Sequence, residues 1–169
     1  MTPMTTSRPR RSFRRSDSGC WKSHRRGTGP CRCTRVRDLE PQQIEALVEL
    51  IERERGRLDI LVNDIFGGDL YMQWDKPLWG HDLTGGPRML RLGVETQLIT
   101  IAKAMPLLLN GKSGIVIEVT DGTAKFNASF RRNVGFYYDL VKASIDRVVK
   151  GLNVELGDLP AVALGVAPG

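Results

Sequence analysis

Cysteine is missing from residues 38–169; Cys20, Cys31 and Cys33, the three present, all fall in the first 37 residues. An odd count and a cysteine-free remainder argue against a disulfide framework and fit a reducing compartment, so a cytoplasmic setting is expected. No stretch reaches eighteen consecutive apolar residues, which speaks against a membrane span. Acids are nearly absent from the start: residues 1–37 hold 11 Lys and Arg against Asp17 alone, a balance of +10. The remainder holds 14 bases and 18 acids, a balance of −4, so the formal net charge of +6 resides in an arm. The globular part is mildly acidic. At 169 residues, 41% of them apolar, the chain is long enough to bury a core as one domain.

Residues 1–37 also lack an apolar face at either helical or strand period. Rich in Arg, Ser, Thr, Pro and Gly, they bury too little to offset their ordering entropy and read as a disordered arm. Arg10-Arg11-Ser12-Phe13 is no export signal, because no apolar stretch follows it. Cys20, His24, Cys31 and Cys33 match no familiar zinc spacing and no element frames them, so no metal site is expected.

Beyond Arg37 the texture changes. Pro41 suits a first helical turn, and Ile44, Leu47, Val48 and Ile51 follow at helical spacing. Leu58 to Val62 reads as a short strand closed by Asn63-Asp64 and Gly67-Gly68. A helix over about 87–109 follows, with Leu90, Val94, Leu98, Ile101 and Met105 on one face and Pro106 set to kink or end it. Ile115 to Val119 is a second strand before the Thr120-Asp121-Gly122 turn. A helix from about Phe136 carries Val141, Ile145, Val148 and Leu152 inward, and Ala161 to Val166 is a third strand. Apolar strands alternating with helices predict an α/β fold with a parallel sheet covered on both faces.

The chemistry concentrates in Tyr138-Asp139-Leu140-Val141-Lys142. Residues four apart share a helix face, about 5–6 Å apart at Cβ. A lysine so placed favours phenolate and draws the tyrosine pKa from about 10 toward neutrality. That would suit Tyr138 to general acid–base work.

Taken in order, Leu58–Gly68, Gly114–Gly122, Tyr138–Ser144 and Val166-Ala167-Pro168-Gly169 resemble the short-chain dehydrogenase/reductase family. Leu61-Val62-Asn63-Asp64 is similar to that family's Leu-Val-Asn-Asn-Ala-Gly segment after the fourth strand. Tyr138 and Lys142 match its Tyr-x-x-x-Lys motif, and Pro168-Gly169 its Pro-Gly after the sixth strand. The resemblance covers about 37–169. It implies a partial Rossmann-type sheet (the strand 4-5-6 half), an NAD or NADP cofactor, and hydride transfer to or from a small carbonyl or alcohol. By the same resemblance Tyr138 is the proton carrier, and Lys142 lowers its pKa and holds the nicotinamide ribose. Thr120 supplies the hydroxyl at the substrate oxygen, and Asn63, Lys142, Pro168 and Gly169 border the cofactor.

Departures from the family pattern qualify that expectation. Tyr138 lies eighteen residues beyond Thr120, farther than the family's serine stands from its tyrosine. Asp121 aligns nearly as well as Thr120 but has no hydroxyl, and Asp-Gly is also an ordinary turn. The asparagine of the family's fourth helix falls near Gly93. The glycine-rich strand–turn–helix that would hold a pyrophosphate has no counterpart; Ser23-x-x-x-Gly27-x-Gly29 is followed by Pro30-Cys31-Arg32-Cys33 rather than a helix. The sequence therefore reads as a partial domain truncated at both ends, with impaired turnover. An open strand edge beside strand four would invite pairing with another chain, hence a homo-oligomer. The switch at residue 37 also suggests an altered reading frame upstream. The alternative is a non-enzymatic protein whose basic arm binds polyanions with salt-sensitive affinity.

Overall fold

The computed structural model describes residues 14–15, 21–22, 40–122, 124–127 and 129–168, and the chain divides into compact units of residues 1–35 and 36–169. In the first, strands β1 (Arg14–Arg15) and β2 (Trp21–Lys22) pair antiparallel, Arg14 opposite Lys22. The Cys20, His24, Cys31 and Cys33 set lies outside the described residues, as does most of the expected basic arm with its polyanion contact.

In the second unit, helix α1 (Pro41–Arg55) starts at its proline, whose missing N–H costs nothing in a first turn. Strands β3 (Ile60–Asn63), β4 (Gly114–Val119) and β5 (Ala161–Val166) form a parallel sheet in the order β3-β4-β5. Helix α2 (Gly85–Leu90) runs through a π turn over Arg91–Glu95 into helix α3 (Thr96–Leu109), which ends three residues past Pro106. The Asp82 carboxylate starts this run by accepting the Thr84 and Gly85 N–H groups, each at 2.9 Å. A short helix α4 (Ala124–Asn127) precedes the long α5 (Phe136–Leu156). The core joins Ile101 and Leu108 of α3 to Val116 of β4 and Ala163 of β5, with Val148, Val149 and Leu152 of α5 packed against them.

Two expectations about packing are corrected. Among the described residues the helices cover one face of the sheet, not both. Val116 and Ala163 face the helices and are buried, whereas the alternate positions Ile60, Val62, Val162, Leu164 and Val166 are 41–56% exposed. The register aligns Val62, Ile117 and Leu164 in one row of that open face. A continuous apolar run shows that both faces of a strand are apolar, but not which segment covers each.

The inward face of the α2–α3 run is also different from the one expected. Met89, Leu92, Thr96, Gln97, Ile101, Ala104 and Leu108 are buried, while Leu90, Val94 and Leu98 line an open groove with Leu140 and Ser144 of α5. Apolar residues surround this helix, so the 3.6-residue period had two solutions, and the π turn rotates its first half relative to its second. Gly85–Leu109 is long and apolar enough by composition to cross a membrane. The lack of an unbroken apolar run therefore does not settle the question of a span; here the helix packs on the sheet, and the Gln97 side chain donates to the Ile65 carbonyl at 3.0 Å.

Candidate active site

The carboxyl ends of β3, β4 and β5 and the first turns of α5 bring most of the predicted residues to one end of the sheet. Gly135 makes the approach of α5 possible. Its φ of 84° and the close contact that a Cβ would make with the Gln73 carbonyl both require glycine. From there Tyr138 and Lys142 rise on one helix face, as their spacing predicts.

The Tyr138 hydroxyl donates to Asp121 Oδ2 at 2.8 Å. Asp121 follows β4, and the same oxygen accepts from Arg131 Nη1 at 3.0 Å. Arg131 is in turn held by Asp139, the neighbour of Tyr138, whose Oδ1 accepts from Arg131 Nε at 2.8 Å and from its backbone N–H at 3.1 Å. Burial works against the Arg131 charge, but the bonds to Asp139 and Asp121 outweigh it and raise its pKa. The guanidinium carbon also stands 5.8 Å from the Tyr138 ring centre and 5.2 Å from that of Phe126.

This arrangement reverses the expected tuning of the tyrosine. The Tyr138 pKa is pushed up to about 12, first by burial and then by the hydrogen bond to Asp121 and its negative charge, with Arg131 opposing. Lys142 does not set that balance. Its ammonium lies 5.6 Å from the Tyr138 ring centre and 4.9 Å from that of Phe66, over the ring faces rather than at the hydroxyl. Phe66 and Tyr138 pack edge to face at 5.4 Å, so the tyrosine, the lysine and this aromatic form one cluster.

Thr120 is directed to a different set of partners. Its hydroxyl accepts from Asn127 Nδ2 at 3.2 Å, and that amide also donates to Asp146 at 3.0 Å. Asp121, not Thr120, meets the Tyr138 hydroxyl. Asn63 is buried, and its amide donates to Glu118 Oε1 at 2.8 Å. Glu118 is wholly buried, and its second oxygen has no partner among the described residues. Burial pushes its pKa up to about 7, against the pull of the Asn63 bond. Pro168 is exposed just beyond β5, and Gly169 lies outside the described residues. Gly93, where the family's helix asparagine would fall, sits against Val141: a Cβ there would come within 2.6 Å of its side chain. No larger residue fits between α5 and the π turn.

The described residues suit one end of a nicotinamide dinucleotide. Lys142 has three N–H donors and forms no hydrogen bond or ion pair among the described residues, which suits ribose hydroxyls beside Tyr138. The pyrophosphate end is not matched. Gly68, the best placed glycine, is closed in by Phe66 and Met89, 2.7 and 2.8 Å from where a Cβ would stand, so its smallness serves packing.

Comparison with known proteins agrees with this topology. No family model matches the chain. A 7α-hydroxysteroid dehydrogenase solved with NADH and 7-oxo glycochenodeoxycholic acid superposes with a TM-score of 0.64 at 24% identity, over 82% of this chain and 49% of its own. The chain carries the short-chain dehydrogenase/reductase fold over part of that fold's length. A gluconate 5-dehydrogenase from Burkholderia cenocepacia, in complex with NADP and tartrate, gives a TM-score of 0.65 at 19% identity, over 78% of this chain and 48% of its own. An uncharacterized oxidoreductase of Staphylococcus saprophyticus is 23% identical over 128 residues, 76% of this chain. The chain spans about half the length of that curated relative, 51%.

Arg131, Asp139, Phe66 and Glu118 were not found from the sequence. Arg131 lies in no motif of the family and meets Asp121 through the loop after β4; Phe66 follows β3 and packs on the Tyr138 ring, and Asp139 stands inside the Tyr-x-x-x-Lys segment, whose spacing gives no sign of its bond to Arg131. The pattern Tyr138-Asp139, an acid in the first turn of a helix beside the candidate proton carrier, was the one visible signal.

Proposed function

We propose that this chain takes part in hydride transfer between a nicotinamide dinucleotide and a small alcohol or carbonyl compound. The observation that carries the reading is the placement of the Tyr138 hydroxyl, with Lys142 one turn on, at the carboxyl ends of parallel strands, where open α/β sheets bind their ligands. When bound, a nicotinamide supplies the hydride chemistry; the protein supplies orientation and the proton. Tyr138 exchanges that proton with the substrate oxygen. Lys142 holds ribose hydroxyls, and Thr120, Asn63 and Pro168 border the site without touching the transferred proton. The dehydrogenases of similar fold that were solved with NADH and with NADP support this cofactor class.

Because the pyrophosphate end lacks a cradle among the described residues, binding of either dinucleotide by this chain is weak and turnover impaired. A reducing compartment, the cytoplasm, suits it. Calorimetric titration of the full chain with NADH and with NADPH, beside Lys142→Met, tests the reading. Weak binding that Lys142→Met abolishes is expected; binding unchanged in the variant, or none at millimolar dinucleotide, overturns it. Where turnover is measurable, Tyr138→Phe lowers it by about 10²–10⁴, the usual range for a lost general acid–base.

A further inference from the structure

The acid–base pair at this site is more unusual than the Tyr-x-x-x-Lys spacing suggests. A hydroxyl group beside the tyrosine could donate or accept, and would leave the Tyr138 hydrogen free to turn toward a substrate. A carboxylate only accepts. Asp121 Oδ2 holds the Tyr138 hydrogen at 2.8 Å and Arg131 holds the same oxygen at 3.0 Å. Arg131 is fixed from its other side by Asp139, so the carboxylate cannot swing away without breaking a charged bond. The orientation of the phenol O–H is set by this chain, and its lone pairs are what remain for a ligand.

We infer that Asp121 is the proton partner of Tyr138, a positioning residue that holds the hydroxyl as a donor and receives its proton when Tyr138 takes one from an alcohol. The inference rests on the oxidoreductase reading for its reaction, and on the Asp121–Tyr138 contact for its chemistry. An alcohol O–H can donate to the Tyr138 oxygen while the bond to Asp121 stands; a carbonyl oxygen needs that bond broken first. The site therefore receives the alcohol side of the couple more readily than the carbonyl side. In that direction the alcohol O–H breaks and an O–H forms on Tyr138, while the original Tyr138 O–H breaks and one forms on Asp121 Oδ2. One proton moves at each oxygen, Tyr138 ends neutral as it began, and the carboxylate becomes a carboxylic acid. An oxidised nicotinamide, when bound, would supply the acceptor for the hydride of the alcohol's carbon, which becomes the carbonyl carbon.

The charged groups around the pair are Asp121 after β4, Arg131 in the following loop, Asp139 and Lys142 on α5, and Asp69 in the turn after β3. Asp121 is the negative one in direct contact with the hydroxyl and the one that a single substitution neutralises. With it gone, Arg131 remains and favours phenolate, against burial and the Asp69 charge.

Ultraviolet phenolate titration of the full chain, taken as the difference from Tyr138→Phe, reads the pair without any cofactor. The Tyr138 midpoint should lie near 12 in the parent and fall by about one pH unit or more in Asp121→Asn, as expected for a contacting charge. Asp121→Ser, a smaller neutral replacement, should fall likewise, with circular dichroism confirming that each variant is folded. A midpoint that stays with the parent's in the folded neutral variants overturns the inference, as does a parent midpoint at or below the ordinary value of about 10. Failure to bind dinucleotide would remove the proposed reaction and leave this titration unaltered, so the two readings fail separately.

Discussion

Glu118 should make the stability of this chain fall as pH rises. The carboxyl is wholly buried, with Asn63 Nδ2 at 2.8 Å from one oxygen and no partner for the other among the described residues. Its pKa rises from the ordinary 4.5 to about 7 because burial disfavours the charged form. The folded state then holds a proton that the unfolded state has released, over the window from 4.5 to about 7. Where the unfolded state binds fewer protons, stability declines with rising pH. The stabilisation is complete below the unfolded pKa and is lost as pH rises through the folded one. At about 1.4 kcal/mol per pH unit, the linkage integrates to roughly 2.5 kcal/mol between about pH 5 and pH 8. Glu118→Gln keeps the acceptor for Asn63 and removes the titration. Its NH2 group, which takes the place of the unpartnered oxygen, adds a constant cost of about 1–3 kcal/mol as a buried donor. That cost does not vary with pH, so the test is the slope and not the offset. Urea denaturation followed by circular dichroism, on parent and variant across that range, should give curves that differ by about 2.5 kcal/mol more at the alkaline end than at the acid end. Parallel curves would refute the reasoning.

Removing the other partner has the opposite sense. Asn63→Ala leaves Glu118 with no hydrogen bond, costs about 1–3 kcal/mol of stability by the same measurement, and moves the pH dependence to higher pH because the Asn63 bond lowers the Glu118 pKa. On the open sheet face, Leu164→Lys interrupts the row formed with Val62 and Ile117; the urea denaturation midpoint should change little, since Leu164 is 45% exposed.

The elements were legible because local signals agreed. Pro41, the apolar strand cores at 60–62, 115–119 and 161–166, and the inward stripe Val141, Ile145, Val148 and Leu152 each have one solution at their own period, and the structure places them so. The α2–α3 run was legible as a helix but not in its rotation. Thr96 and Gln97 are buried there, and a polar residue in a core cannot be told from a surface one until its partner, the Ile65 carbonyl, is known. The sheet face failed for a related reason: alternation describes a strand, whereas cover is a property of whatever packs on it.

The site shows the same division between spacing and surroundings. A four-residue interval puts Tyr138 and Lys142 on one face of α5 whatever else the chain does, so the motif was readable. The tyrosine's acidity was not, because it depends first on burial and then on which charge reaches the oxygen, rather than on which charge is nearest along the helix. Lys142 meets the faces of two rings, while Asp121 and Arg131 meet the hydroxyl and each other. A Coulomb interaction falls with distance and with solvent access, so an acid at 2.8 Å outweighs a lysine 5.6 Å from the ring centre. Aligning Thr120 and Asp121 with a family serine could not choose between them, since neighbours at a strand end point to opposite sides and both stand at the right depth. The choice is made by the loop from Gly122 to Arg131, which brings Asn127 to Thr120 on one side and Arg131 to Asp121 on the other. In this chain Arg131, the residue that fixes the Asp121 carboxylate against Tyr138, lies between the motifs.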